Sequence, residues 1–420
     1  MTQTATELNY DIVIVGGGLS GATLALALCH TFGDAISIAV IEPQLAKSVD
    51  HSSFDGRALA LSQGSVQLLK RWQLWPALSE LAGDIQVIEV SDSHHLGYCQ
   101  MTAEQQQVPA LGYVVHAHTL GDALSQKLHH LAAAKPAYRL DVFCPDELQT
   151  LKQHQDHVDL TLTSGKTLQA KLLVGADGAK SRVRQQLNIA QTATQYGQVA
   201  ISCNVLTQLA DHSSSSKATR VTAFERFTSQ GPLAMLPMPY SQDSQFAQYG
   251  LVWCQHASRT QELMALSDTE FAQALQQAFG WRAGKIYQVS ARSAYPLTRL
   301  IAEQVYQHRC LLIANSAHLI HPIAGQGLNL GIRDIEQMCI ALARALDTKQ
   351  DLGCYRTWSD YCQQRKLDTE KVATATDVLV RVFSNDDFVF SGVRNKGLWL
   401  MDRVTPLKNK LAQHAMGLKA

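Results

Sequence analysis

Gly16-Gly17-Gly18-Leu19-Ser20-Gly21 is a GxGxxG segment standing between a β-branched run, Asp11-Ile12-Val13-Ile14-Val15, and an Ala/Leu-rich stretch. In that setting Gly16 permits a tight turn, Gly18 lets backbone approach a pyrophosphate, and Gly21 lets helix and strand pack closely. The positive end of the following helix then faces the phosphates. Glu42 ends the next apolar run, about twenty residues on, where a carboxylate can accept hydrogen bonds from a ribose diol. Such a cradle suits the ADP half shared by NAD and FAD and does not choose between them.

Two further segments carry chemistry. Leu173-Val174-Gly175-Ala176-Asp177-Gly178 runs from a buried strand into Asp-Gly and a basic helix start ending at Arg184. Asp177 can cap that helix while its neighbours contact a pyrophosphate, and Arg184 either meets phosphate or lies in solvent. The segment from Ile313 to Asp334 holds Asn315, His318, His321, Pro322, Gly325, Gly327, Leu328 and Asn329. Its apolar positions 328, 332, 335, 339 and 342 recur at helical spacing, which predicts a helix from near Gly327. Gly325 and Gly327 leave the first N–H groups of that helix open to an anion, such as the N1/O2 edge of a reduced flavin. His318 and His321 have the spacing of a metal pair, but Pro322 interrupts the helix and no cysteine or acid cluster completes the set. No metal site is expected. A loop-orienting role comes first for the two histidines, with acid or base catalysis by His321 as the alternative.

The elements that must position these groups read as strand, tight turn, helix and strand at the N-terminus, with strand-to-loop units again at Lys171–Ala176 and Cys310–Ala314. Between them, Thr192 to Pro296 alternates and carries turn signals, as an inserted antiparallel sheet would. From Asp351 the pattern is helical. The 420 residues favour two domains, and 46% apolar with 17% charged residues is globular composition. A net charge of zero gives no reason to expect nucleic acid. The nine cysteines are scattered without a CxxC pair and read as reduced, structural residues. The N-terminus lacks signal-peptide features, and no apolar run reaches the roughly eighteen residues of a membrane span. A cytoplasmic protein is expected. The stretch Arg394 to Ala420 carries six Lys/Arg against Asp402, beside Leu398-Trp399-Leu400-Met401, and is either a solvated face or a membrane-surface contact.

The glycine fingerprint, the Phe54-Asp55-Gly56-Arg57-Ala58-Leu59-Ala60-Leu61-Ser62 segment, the Asp-Gly motif and the His321 to Asn329 loop together resemble the class A flavoprotein aromatic hydroxylases. Glu225-Arg226-Phe227-Thr228, Gly231 to Pro237 and Arg292 to Leu297 are similar to the ubiquinone-biosynthesis branch, and the likeness extends to Asn395-Lys396-Gly397-Leu398. The resemblance implies an α/β fold with a Rossmann-like FAD-binding domain of the glutathione-reductase and p-hydroxybenzoate-hydroxylase type. An inserted antiparallel-sheet substrate domain and a helical C-terminus complete it. The expected division is 1–75, 100–190 and 297–370 for FAD, 76–99 and 191–296 for substrate, and 371–420 for the helical segment. The implied activity is hydroxylation of 2-polyprenyl-6-methoxyphenol to 2-polyprenyl-6-methoxy-1,4-benzoquinol. NAD(P)H would reduce FAD, and O2 would react through a C4a-hydroperoxyflavin.

Carried onto this chain, Gly16, Gly18, Gly21 and Glu42 would hold the ADP half, Arg57 the phosphate and ribityl region, and Asp177 belongs to the Asp-Gly motif. Asn315 stands where the family usually has the Asp of a Gly-Asp pair that bonds the ribityl chain; here the pair is Ala314-Asn315. Gly325, Gly327, Leu328 and Asn329 form the loop and helix start beside the flavin. Pro322 either lies over the flavin beside the substrate or is an ordinary turn proline. His116 and His118 are flavin contacts or surface histidines, and Trp253, Phe224, Phe227 and Met235 line an isoprenoid channel or belong to a sheet core. Alternatives are a sister hydroxylase of different regiochemistry, a low-turnover flavin scaffold of the same biosynthetic complex, and a plain NAD-dependent dehydrogenase. The greasy substrate tail implies peripheral contact with the inner membrane and contact with other ubiquinone-biosynthesis proteins.

Overall fold

Apolar runs without polar alternation belong in a parallel sheet covered on both faces. In the computed structural model, which describes residues 8–44, 57–93, 97–134, 137–209, 218–228, 230–239, 245–321, 325–383, 409, 412–413 and 416–417, those runs build such a sheet. Its order is Tyr306–Gln307, Cys310–Leu312, Thr167–Gly175, Leu8–Val15, Ser37–Ile41 and Arg139–Phe143, with the hairpin strands Leu148–Gln153 and Val158–Leu162 attached to Thr167–Gly175. From Cys310–Leu312 to Arg139–Phe143 the pairing is parallel. Val15 pairs with both Ile41 and Gly175, and Gly175 with Leu312, so these strands finish level. The loops beginning at Gly16, Glu42, Ala176 and Ile313 therefore emerge side by side at one carboxyl edge, where parallel sheets bind ligands.

The helix Leu19–Phe32 has Gly21 through Cys29 all buried, because it is packed between this sheet and the helices Ala117–Ala133 and Gln326–Asp347. A helix apolar all round is stable only in such a position.

The second sheet has nine strands: His318–Leu319, Ser293–Ala302, Gln191–Gln208, Phe246–His256, Gly231–Pro237, Thr222–Thr228, Val87–Asp92 and Tyr98–Thr102 in order, with Lys285–Val289 beside Gln191–Gln208. One face is covered by the helices Ala257–Ala265 and Asp268–Phe279, the latter started by a Ser267/Glu270 capping box. Phe224, Met235 and Trp253 point to that face and pack on Phe271, Leu275 and Phe279. Of the two alternatives for these three, sheet core is the one they take. Strand alternation sends Phe227 the other way. The second face turns toward the parallel layer, where Gly250 lies so close to the strand Ala58–Ser62 that an added Cβ would sit 2.1 Å from the Ala58 Cβ.

Between the layers lies a three-stranded sheet, Ala58–Ser62, Gly112–His116 and Gly83–Ile85, which the sequence pattern did not predict. Near the C-terminus, Ala412 and Met416 are buried against Ile85 and Val114, and the Gly64 N–H donates to the Met416 carbonyl at 2.8 Å. The basic stretch from Arg394 otherwise lies outside the described residues. Among the described residues no helix is long and apolar enough to cross a membrane.

Candidate active site

At the carboxyl edge the glycine loop is held by sterics. Gly16 has φ of +101°, and its N–H donates to the Ile41 carbonyl at 2.8 Å. A Cβ on Gly21 would lie 1.8 Å from the Gly16 carbonyl oxygen, whereas one on Gly18 would meet nothing within 4 Å. The first two positions are thus closed and the third opens outward. Glu42 accepts from the Gly17 N–H at 2.6 Å and the Gln44 N–H at 3.0 Å, which aims its carboxylate along the loop with acceptor capacity left over. The helix starting at Leu19 has no side-chain cap and no acid in its first turn. Open space, uncapped N–H groups and an adjacent carboxylate fit a dinucleotide's phosphates and ribose.

Asp177 caps the helix Arg182–Gln186, accepting from the Arg182 and Val183 N–H groups at 2.7 and 3.1 Å, and takes a third bond from the Ser316 hydroxyl at 3.1 Å. Ser316 in turn accepts from the Gly178 N–H at 3.0 Å, tying the Asp-Gly turn to the Ala314–Ser316 turn. Arg184 is neither in solvent nor left open for a phosphate. It is buried and donates to the carbonyls of Ser316 and Ala179 at 2.8 and 2.7 Å.

Asn315 projects, exposed, from a single turn in which Ala314 has φ of +50°. That left-handed alanine is held by Asp334, whose Oδ2 accepts from the Ala314 N–H at 2.8 Å and from His318 Nε2 at 2.7 Å. Its Oδ1 accepts from Arg365 Nε at 2.5 Å, and Arg365 also pairs with Asp368. Two cationic neighbours and the Ala314 N–H outweigh burial and hold the Asp334 carboxyl well below the usual range. His318 therefore orients the loop from within a buried ionic network.

His321 is also buried, edge-on to Tyr196 at 5.0 Å, and Tyr196 bonds Asp377. Burial pushes its imidazole down to about 4, so at pH 7 it is neutral and has no imidazolium proton to deliver. The two histidines do not share a ligand position. The triad His154, His157 and Asp159 does come together, on the outer Leu148–Leu162 hairpin away from the glycine loop, with His154 and Asp159 paired at 2.8 Å.

The Rhodospirillum rubrum protein named ubiquinone hydroxylase UbiL is 34% identical over 410 residues, covering 97% of this chain and 89% of that protein. Escherichia coli 3-demethoxyubiquinol 3-hydroxylase is 32% identical over 424 residues and covers both chains completely. The FAD binding domain family matches residues 9–372. This chain is an FAD-binding monooxygenase of the ubiquinone-hydroxylase family. Solved structures agree on the fold: p-nitrophenol 4-monooxygenase PnpA of Pseudomonas putida superposes with a TM-score of 0.76 at 15% identity over 99% of this chain and all of that one. Pseudomonas aeruginosa PqsL in complex with 2-aminobenzoylacetate follows at 0.74 and 18% identity, covering 93% and 99%.

In this monooxygenase the second helix start, at Gln326, carries the same open features as the first. Gly325, at φ of +60°, caps it without a side-chain bond, no acid lies in its first turn, and a Cβ on Gly327 would meet nothing within 4 Å. Leu328 packs into the main core beneath. Asn329 spends its whole amide on protein: it accepts from the Ser62 N–H and the Ser65 hydroxyl and donates to the carbonyls of Ala60 and Gly325, all within 2.9 Å. It braces the loop. Only its backbone is left to meet a cofactor. Pro322 lies outside the described residues.

Arg57 is exposed at the start of the middle sheet and close enough to Tyr295 to act on its hydroxyl. His116 pairs with Ala58 across that sheet and stacks on His118 at 5.3 Å. On the facing side of the nine-stranded sheet stand Glu225, Cys254 and Tyr295. The sequence signal for Glu225 is a carboxylate on a strand, Thr222–Thr228, whose neighbours Ala223, Phe224 and Phe227 are buried.

Proposed function

We propose that this monooxygenase hydroxylates a polyprenyl phenol in ubiquinone biosynthesis. Its substrate is 2-polyprenyl-6-methoxyphenol, its product 2-polyprenyl-6-methoxy-1,4-benzoquinol, and NAD(P)H and O2 are co-substrates. The single observation that supports it most is the opposition of two surfaces, a phosphate-ready carboxyl edge and a sheet face carrying Glu225 and Tyr295, in a chain 34% identical to a protein named ubiquinone hydroxylase.

Gly16, Gly18, Gly21 and Glu42 would hold the ADP half of FAD and Arg57 its pyrophosphate and ribityl region. Asp177 shapes the turn that meets the pyrophosphate, and Asn315 would bond the ribityl chain. The N–H groups from Gly325, Gly327, Leu328 and Asn329 would face the pyrimidine edge, and Pro322 and His321 would border the reacting ring. Bound FAD supplies electron transfer from NAD(P)H and the activation of O2. The chain's own contribution is placement, exclusion of water and polarisation of the phenol. A substrate with so apolar a tail is reached at a membrane surface, so the enzyme contacts the inner membrane peripherally, alongside other proteins of the pathway.

A second reading has its own support. The E. coli relative named 3-demethoxyubiquinol 3-hydroxylase aligns over its entire length, which favours a sister reaction at another carbon of the same ring. Loss of the Gly-Asp pair at Ala314-Asn315 supports a low-turnover scaffold instead. Enzyme loaded with FAD and given NAD(P)H and the 6-methoxyphenol tests all three. Phenol-stimulated NAD(P)H oxidation with equimolar hydroquinone is expected. Profiling the intermediates that accumulate in cells lacking the protein separates the ring positions, and NAD(P)H oxidation indifferent to every phenol leaves the scaffold.

A further inference from the structure

On the face of the nine-stranded sheet that looks toward the parallel layer, one carboxylate has no partner among the described residues. Glu225 follows Ala223 and precedes Phe227 on that face; its neighbours across the ladder are Val90 on one side and Ala234 on the other. Neither can donate a hydrogen bond from its side chain. The charged residues on and beside its strand bond elsewhere: Arg226, on the opposite face, donates to the Ala278 and Ser93 carbonyls at 3.1 and 3.2 Å, and Glu89 pairs with Arg282. Among the described residues no hydrogen bond or ion pair reaches the Glu225 carboxyl, and burial alone pushes it up to about 7. Its side chain is nevertheless half-buried and not sealed in. A desolvated carboxylate left without a donor is costly, and proteins keep one where something else supplies the donor.

The surroundings say what that donor is. Going across the same face, the row offset by two residues runs through Cys254 and Ala200 to Tyr295. Tyr295 is half-buried, its hydroxyl pushed up to about 12, chiefly by burial, and no hydrogen bond to it is recorded among the described residues. Val252, Cys254, Ala200 and Leu297 make the surface between the two groups apolar. The titratable and charged groups facing Glu225 are Asp92, Cys99, Cys254 and Tyr295 from its own sheet and Arg57 and His116 from the small sheet opposite. A lone carboxyl acceptor beside the apolar side chains of Ala234 and Val252, on the face turned toward the layer that would hold FAD, has the make-up of a pocket for an aromatic ring bearing a hydroxyl.

We propose that Glu225 accepts the hydrogen bond of the substrate's phenolic hydroxyl and takes its proton during oxygen transfer. The inference rests on the phenol reading above. The oxygen would come from O2, whose O–O bond is cleaved with the two electrons that NAD(P)H supplies and whose second atom leaves as water; as it bonds to the ring carbon, the ring becomes a dienone: the phenolic O–H bond breaks, its electron pair forms the carbonyl, and the proton passes to the Glu225 carboxylate. Loss of the proton on the hydroxylated carbon then restores the aromatic ring. A carboxyl ionising near neutral pH suits this role, being charged when the phenol arrives and basic enough to keep the proton.

Glu225→Gln keeps the shape and removes the base. In FAD-loaded enzyme, normalised by flavin absorbance, product per NAD(P)H is expected to fall about a hundredfold, with hydrogen peroxide appearing in its place. The limb of the kcat/KM profile near pH 7 should vanish, and Glu225→Asp should restore part of both. Wild-type enzyme that hydroxylates the phenol while Glu225→Gln matches it in yield and pH profile overturns the inference alone. Wild-type enzyme that neither perturbs its flavin spectrum with the phenol nor hydroxylates it overturns the functional reading, and this inference with it.

Discussion

The carboxyl edge of the parallel sheet and the inner face of the antiparallel sheet treat polar groups in opposite ways. At the edge most polar side chains are already bonded to protein: Glu42 by two N–H groups, Asp177 by three donors, Asn329 by four partners, Asp334 by three. They fix backbone, and that backbone, with the spare acceptor of Glu42 and the exposed Asn315, is what remains to meet a ligand. On the sheet face no hydrogen bond from the described residues reaches the side chains of Glu225 and Tyr295. A cofactor that stays bound is held by a prebuilt frame, whereas a substrate that comes and goes supplies the missing partner itself.

The sharpest way to break the frame is at its most satisfied residue. Asp334→Ala leaves Arg365 and His318 buried without their counter-charge and frees the Ala314 turn. A loss of about 3–5 kcal/mol is expected, together with loss of FAD on gel filtration. Denaturant unfolding with and without FAD measures both, and an unchanged midpoint would show that the network does not hold the turn.

The sheet face should respond in the opposite direction. The folded enzyme holds Glu225 near 7, above an ordinary carboxyl, so the stability linked to this group is fully present below about pH 4.5 and is lost as pH rises through 7. Glu225→Gln should therefore make the substrate-free protein more stable than wild type at pH 8, by about 2–3 kcal/mol, and no different at pH 4. A substitution that stabilises while abolishing product is the signature of a functional residue kept at a cost. Equal stability at both pH values would mean that the carboxyl is solvated.

His321 carries the reverse sign. Its imidazole is held down to about 4, so the stability it contributes is present above about pH 6.5 and is lost as pH falls through 4. His321→Gln should flatten that acid limb of the unfolding free energy by up to about 3 kcal/mol, measured by denaturant unfolding across pH, without a pH-dependent change above pH 7. A limb retained in the variant would place the acid sensitivity elsewhere.

This contrast also explains what could be read in the chain. Gly16, Gly18, Gly21, Glu42 and the helix start near Gly327 are legible because their work is local: a turn, a close approach, a helix end within a few residues of its strand. Asp177 as a cap is legible for the same reason. Asp334 is not, since its partners Ala314, His318 and Arg365 come from three elements, and nothing in the helical pattern of 328–342 marks an acid pointing inward. The pocket floor is not legible either. Whether Trp253 or Cys254 faces the cofactor depends on one residue of register in a sheet whose strands come from five parts of the chain, and apolar residues occupy both faces. The small sheet of Ala58–Ser62, Gly112–His116 and Gly83–Ile85 escaped for lack of length, its strands being 5, 5 and 3 residues.

The smallest effect tests whether the edge is a steric frame as well as a hydrogen-bonded one. Ala314 occupies the left-handed region, which costs a residue with a Cβ roughly 1–2 kcal/mol, and its Cβ lies where Gly331 leaves room: a Cβ on Gly331 would come within 2.9 Å of it. Ala314→Gly removes the left-handed cost but adds roughly 0.5–1 kcal/mol of chain entropy, so its own gain is at most about 1.5 kcal/mol. Gly331→Ala in the wild-type background should cost about 1–3 kcal/mol by overpacking. In the Ala314→Gly background that clash has no partner, and most of the cost should disappear. A double-mutant cycle in denaturant reads the coupling directly. Additive effects would mean that helix and turn are not in contact through these two positions, and that Asp334 alone sets the conformation from which Asn315 projects.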